Sequence, residues 1–394
     1  MSSEATDVQE ASPKYGFTAA KPAVPAGYKQ TEVGMIPEDW GIARIDEHAS
    51  IKTGSRNAQD RLEDGAYPFF VRSQKVEHIN SYSYDGEAVL TAGDGVGTGK
   101  IFHYVNGKFD VHQRVYRISG FSTQLDGRYF FSQFSTRFYD RIMAMTAKSS
   151  VDSVRMEMIA GMQIALPPIQ EQRAIATALS DVDALQEELD RLIAKKRDIK
   201  KATMQQLLTG QTRIPGFEGE WETKRIGELL TICHGRNQHE VEVNDGQFPI
   251  LATSGIIGTS KHALYNRPSV LIGRKGTINK PRYMDTPFWS VDTLFYSVIE
   301  EDNDAKYLYY QFLMIDWLQY NEASGVPSLS ARTIENIEIT CPQPLEQRAI
   351  SSVLSDLDAE IKSIEQRRAK TAAIKQAMMQ ELLTGRTRLV NSGV

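Results

Sequence analysis

Two spacings of apolar residues alternate along this chain, and each occurs twice. From Trp40 to about Ala165 the apolar residues fall in short runs between Gly-rich turns: Tyr67-Pro68-Phe69-Phe70-Val71, Ala88-Val89-Leu90, Ile101-Phe102-His103-Tyr104-Val105 and Val115-Tyr116-Arg117-Ile118. Such runs predict strands, and a helix is predicted around Arg128 to Met145. The spacing then changes to threes and fours at Ile175, Ala178, Val182, Leu185, Leu189, Leu192 and Ile199. That narrow stripe predicts a long helix needing a partner helix to cover it. From about Ile214 to Cys341 the short runs return. Ile350, Val353, Leu357, Ile364, Ile374 and Met378 then resume the stripe, with more interruptions.

The two striped stretches are copies. Glu171 to Arg213 matches Glu346 to Arg388 at a constant offset of 175 residues, without a gap, and about half the positions are identical. Strong helix formers fill both. Prolines precede each copy (Pro167 and Pro168; Pro342 and Pro344), where a missing N–H costs nothing. Glu171 and Glu346 place negative charge at the positive end of the helix dipole. Gly210 and Gly385 follow Leu-Leu-Thr, where a helix end favours a left-handed residue. About forty residues at a rise of ~1.5 Å make a rod roughly 60 Å long.

The intervening regions are copies too, though more divergent. Trp40, Ile45, Ile51 and Gly54 align with Trp221, Ile226, Ile232 and Gly235 at an offset of 181, as do Tyr67-Pro68 with Phe248-Pro249. Further on, Gly97-Thr98 is paired with Gly276-Thr277 and Phe109 with Phe288. A repeat of this length fixes the architecture. The expected fold class is α+β: two tandem mixed domains separated by a pair of long antiparallel coiled-coil helices with pseudo-two-fold symmetry. The expected divisions are a disordered tail (1–30), a first domain (31–166), a first long helix (167–213), a second domain (214–341), and a second long helix with the C-terminal tail (342–394).

Composition narrows the class. The chain has 394 residues, enough for two or three domains. It lacks any apolar run of membrane-spanning length. The start, MSSEATDVQEASPKYG, has no apolar signal core, so a cytoplasmic location is expected. Two isolated cysteines, Cys233 and Cys341, build no zinc cluster. A net charge of −5 is not that of a uniformly basic nucleic-acid binder. Phosphate contacts depend on local patches, however, and not on the total.

Catalytic motifs are missing. Gly93-Asp94-Gly95-Val96-Gly97-Thr98-Gly99-Lys100-Ile101 resembles a phosphate-binding loop but has Asp94 where that motif needs glycine, and Ile101 where it needs Ser or Thr. It reads as a turn between strands. No Asn/Asp-Pro-Pro-Tyr, HExxH or Gly-x-Ser-x-Gly occurs, and the histidines are scattered, so neither catalytic nor metal-binding residues are expected. What the Gly-rich turns do carry is contact chemistry. The first domain has Arg56, Asn57, Arg72, Ser73, Lys75 and Lys100. The second has Arg236, Asn237, Gln238, Thr253, Ser254, Arg274, Lys275, Lys280 and Arg282. Many of these are types that read base edges or hold phosphates. One frame with different turn residues is what two readers of different short sequences would need. On the helices, Glu171, Gln172, Arg173, Asp181 and Asp183 recur as Glu346, Gln347, Arg348, Asp356 and Asp358. These repeated polar residues are the expected contacts for two copies of one protein partner. A bivalent scaffold that never touches DNA is the competing reading, and the acidic run Glu300 to Asp304 leaves room for it.

Several segments together resemble the DNA-specificity subunits of type I restriction–modification systems. They are Thr31-Glu32-Val33-Gly34 with Ile36-Pro37-Glu38-Asp39-Trp40, Leu166 to Ile175, Leu207-Leu208-Thr209-Gly210, Pro342 to Ile350, Leu382-Leu383-Thr384-Gly385, and Gly276-Thr277 with Pro287-Phe288-Trp289. The second opening departs slightly, with Pro342-Gln343-Pro344 in place of the double proline. The resemblance implies two target recognition domains, each reading half of a bipartite DNA site. It implies helices that set the gap between the halves and dock two modification subunits, which methylate adenine with S-adenosylmethionine. Restriction subunits can join such complexes and cleave with ATP and Mg²⁺. It also implies no cofactor and no catalysis in this subunit.

Overall fold

A computed structural model of the chain describes residues 24–145, 153–300 and 302–389. It divides into two compact units, Met1–Leu185 with Thr371–Val394, and Gln186–Lys370. Each holds one α+β domain and parts of both long helices, Ile169–Leu208 and Pro344–Leu382. No helix of the described residues is long and apolar enough to cross a membrane.

In the first unit a six-stranded sheet runs in the order Ser50–Thr53, Val115–Ser119, Tyr84–Ala92, Phe102–Val111, Tyr67–Phe70, Glu77–Ile79. All neighbours are antiparallel except Tyr67–Phe70, which lies parallel to Phe102–Val111. The helix Gly127–Ala144 packs on this sheet. Asp126 caps it, accepting hydrogen bonds from the Arg128 and Tyr129 backbone. Phe130, Phe134 and Phe138 recur every four residues and stack at centroid spacings of 5.4 and 4.4 Å, fully buried. Burying each such ring stabilises by about 1.5–3 kcal/mol.

The second unit repeats the frame with one break. The strand equivalent to Phe102–Val111 is split into Arg282–Met284 and Trp289–Ser290, and an added strand, Glu242–Val243, pairs with Gly255–Ser260, so two four-stranded sheets replace one of six. Pro287 sits at the split; it has no N–H for a ladder hydrogen bond. The register survives: Ile250 lies opposite Trp289, as Phe69 lies opposite Asp110. In both domains a short antiparallel pair closes the chain on itself just before the long helix: Gly41–Arg44 with Gln163–Leu166, and Glu222–Arg225 with Glu338–Cys341.

A repeated polar lock ties each domain to the helix segments of its own unit. Glu171 is buried and takes two hydrogen bonds from the Arg388 guanidinium, at 2.7 and 2.8 Å. Glu346 is buried and takes two from Arg213, at 2.6 and 2.7 Å. Gln172 accepts from the Asp126 N–H and donates to the Pro167 carbonyl; Gln347 does the same with Asp304 and Pro342. Gln133 donates to the Leu383 carbonyl and Gln311 to the Leu208 carbonyl, both at 3.0 Å. Gly385 and Gly210 take left-handed φ values of 69° and 72° where the helices end. The segments run antiparallel within each unit, and Asp183–Lys375 and Lys200–Asp358 are equivalent ion pairs, each 2.5 Å.

The locks are not equal. Trp40 donates its indole N–H to Glu171 at 3.0 Å, and Asp39 adds a second carboxylate to Arg388. Arg388 holds the Asp39 carboxyl below the usual range by hydrogen bonding. In the second lock the Trp221 indole N–H is buried with no hydrogen-bond partner among the described residues.

Three sequence expectations change. Tyr28–Thr31, which begins inside the stretch assigned to a disordered tail, is a strand paired with Gly34–Pro37; residues 1–23 lie outside the described residues. The helix stripes hold only in part: Ile175, Leu189 and Ile350 are buried as expected, but Leu192, Ile199, Val353 and Ile374 are exposed, while Leu179, Ile193, Leu354 and Ile361 are buried. The helix ends pack against domain cores, which turns their buried face. Glu171, Gln172, Glu346 and Gln347, expected to meet a protein partner, lie inside the fold.

Arg388→Ala should destabilise the protein by about 3–5 kcal/mol, because Glu171 is left buried without its counter-charge. The double variant Arg388→Ala/Glu171→Gln should recover part of that loss in denaturant unfolding. Equal losses in the two variants would mean that the buried charge is not what matters.

Candidate nucleic-acid interface

Three turns lie side by side at one end of each domain, and close backbone approaches hold them there. A Cβ on Gly54 would lie 1.9 Å from the Val111 carbonyl oxygen; one on Gly235 would lie 2.0 Å from that of Val291. Only glycine allows the chain so near the end of the neighbouring strand. The next residues are thereby pinned: Arg56 bridges to His112, and Gln113 N–H donates to the Arg56 carbonyl at 2.8 Å. In the second domain Arg236 N–H donates to the Ser290 carbonyl at 2.8 Å, and the Trp289 indole to the Arg236 carbonyl at 2.9 Å.

The Gly-rich loop is a turn between two antiparallel strands, with no helix after it. Gly95 and Gly276 adopt φ of 84° and 88°, directly after Asp94 and Lys275, which bridge to Ser153 and Ser328. Gly276 therefore matches Gly95, not Gly97 as the sequence pairing suggested; the first turn is longer by two residues. The adjoining hairpin tip carries Arg72 in one domain and Thr253 in the other. Cβ positions on Gly95 and Gly276 lie 3.8 and 3.7 Å from them.

Side chains on this shared frame differ. In the first domain Asp94 pairs with Arg72 at 2.7 Å and Arg114 at 3.6 Å, and Gln113 donates to Asn57 at 2.6 Å. His112 accepts from the Arg114 N–H through Nδ1 at 3.0 Å. Burial, then the Arg72 charge, lowers its pKa, keeping the ring neutral near pH 7. At equivalent positions the second domain has Gln238, Thr253, Lys275, Asp292 and Thr293, with Arg274 donating to the Asp292 carbonyl at 3.2 Å.

The turn residues picked out by sequence divide on inspection. Asn57, Arg72, Arg236, Asn237, Ser254 and Lys275 are exposed on this face. Arg274 and Thr253 are half-buried there. Arg56 turns inward instead, to buried Asp110 at 3.1 Å and to Ser81. Arg282 donates to the Ala252 and Thr253 carbonyls and braces the hairpin. Lys75 pairs with Glu77 at 3.4 Å, and Ser73 hydrogen-bonds the Lys75 carbonyl. Lys100 sits over the Tyr139 ring, while Lys280 is exposed and Gln238 half-buried. Asp94, Gln113, Arg114, Asp292 and Thr293 were missed. The latter four lie on a turn with no glycine, and only the repeat alignment could have marked it. On the helices, Arg173, Asp181, Arg348 and Asp356 are exposed, whereas Asp183 and Asp358 are engaged by lysines. No group of three or more His, Cys, Asp or Glu among the described residues could hold a metal ion.

The family model of the type I restriction modification DNA specificity domain matches residues 37–197 and 218–373. The chain belongs to this family. Each match takes in one complete set of the three turns and most of the helix that follows. The chain is 28% identical over 182 residues to the type I restriction enzyme EcoDI specificity subunit of Escherichia coli, covering 45% of this chain and 40% of that protein. It is 21% identical over 415 residues to the MjaVIII specificity subunit of Methanocaldococcus jannaschii, covering 92% of this chain and 96% of that one. Its fold is that of the crystallised S subunit of a type I restriction–modification system from M. genitalium, with a TM-score of 0.68 at 17% identity over 87% of this chain and 96% of that chain.

The paired glycines of the two specificity domains give a direct test of the frame. Gly54→Ala or Gly235→Ala should cost about 3 kcal/mol or more by overpacking, lowering the Tm by roughly 5–10 °C in a unit of this size. Thermal unfolding within 1 °C of the unsubstituted protein would contradict the close approach.

Proposed function

We propose that this chain is the DNA-reading subunit of a type I restriction–modification complex, each domain reading one half of a bipartite target. One observation carries the reading: the same backbone frame presents different polar side chains at equivalent turns. A structural frame kept for stability alone gives no reason for Arg72, Asp94 and Arg114 to become Thr253, Lys275 and Thr293. Base edges in the major groove offer distinct donor and acceptor patterns, so two unlike half-sites require two unlike faces.

The helices space the halves. Each domain alone would bind weakly; joined, the second gains effective concentration only when the half-sites stand at the matching distance. Chemistry on adenine needs the base out of the stack and an enzyme beside it. That enzyme is a modification subunit using S-adenosylmethionine, one for each copy of the helix repeat. The exposed pairs Arg173/Arg348 and Asp181/Asp356 are its contacts. Restriction subunits using ATP and Mg²⁺ join the same assembly. This chain supplies recognition and no catalytic group, and its setting is the cytoplasm.

Matched insertions of four residues after Ala194 and Ala369 should lengthen the gap in the recognised site and leave both half-sequences unchanged. Methylation mapping with the modification subunits present reads this out. Altered half-sequences with a constant gap would overturn the spacing role.

A further inference from the structure

A highly exposed β-branched aliphatic side chain stands among the turns of each domain. In the first domain it is Val96, wholly exposed at the apex of the Gly93–Lys100 turn. The turn beneath it is fixed: the Thr98 N–H and hydroxyl both donate to the Gly95 carbonyl, at 3.0 and 2.6 Å, and Asp94 is held by two arginines. In the second domain the equivalent position is Thr277, and the most exposed aliphatic is Ile256 on the neighbouring hairpin, 71% exposed, with Ile257 beside it at 44% and Val326, next to the Pro327 whose carbonyl holds the Gly276 N–H, at 66%. The position equivalent to Ile256 in the first domain is Lys75. So each domain exposes a β-branched aliphatic on one of two adjoining turns, and the turn that carries the most exposed one differs between the domains.

A single exposed aliphatic needs no explanation by itself. Two exposed to this degree, each beside turns that present polar side chains to base edges, do. The major-groove edges present donors and acceptors, and the one apolar group among them is the 5-methyl of thymine. We propose that Val96 and Ile256 are specificity-determining residues, each covering the 5-methyl of a thymine in its own half-site. This rests on the DNA-reading function proposed above and specifies one base in each half.

The test uses the full chain assembled with its modification subunits and duplexes carrying the mapped target. Each thymine is replaced singly by deoxyuridine, which removes only the methyl group, and Kd is measured by fluorescence anisotropy. One replacement in each half-site should weaken binding about fourfold, the worth of one buried methyl-sized group. Val96→Ala should bring that ratio near one in the first half-site only, and Ile256→Ala in the second only. Both positions are exposed, so folding is not at risk. A half-site without thymine, no sensitivity to deoxyuridine, or ratios unchanged by the variants would overturn the proposal. A complex that modifies no defined site would instead overturn DNA reading itself.

Discussion

A carboxylate buried at the start of each long helix, met by an arginine from just beyond the end of the other, is the constraint on which the rest depends. Glu171 with Arg388 and Glu346 with Arg213 sit where solvent does not compensate either charge fully. The glutamine beside each glutamate reaches into the domain and satisfies the backbone N–H at the cap of its core helix. A buried pair of this kind adds little net stability, since desolvation offsets much of the attraction. Its effect is selective: helix phase and domain orientation in each unit must be correct, or a charge is stranded.

That rigidity matters for reading DNA. Base contacts discriminate only when the side chains that make them are placed to within a fraction of an ångström by what lies behind them. Here the placing is done by backbone: glycines at 54 and 235 let the chain touch a strand end, and left-handed glycines at 95 and 276 turn the next loop beside it. The variable side chains ride on that frame, so recognition can change without disturbing the fold.

Much of this was legible in the sequence because it is local or repeated. Helix-forming residues, terminal glycines and the 175-residue offset gave two long helices; the 181-residue offset gave two like domains. What failed depends on which way a residue faces. Recurring Glu-Gln pairs looked like an outward docking motif, yet recurrence marks any shared constraint, and here it is an internal lock. The stripe of Ile199 and Ile374 was out of phase because helix ends pack on aromatic cores and not only on each other. Arg56 and Arg72 were found, but not Asp110 and Asp94, which stand 54 and 22 residues away in sequence and compensate them. Net charge was uninformative for the same reason, since it says nothing of which side chains are gathered on one face.

The most direct measurement is genome-wide adenine methylation mapping in cells that express this chain with its modification subunits. The account predicts one asymmetric bipartite motif: two different half-sequences, a fixed gap of unspecified bases, and a modified adenine belonging to each half. A continuous motif, two identical halves, or methylation with no sequence preference would contradict it.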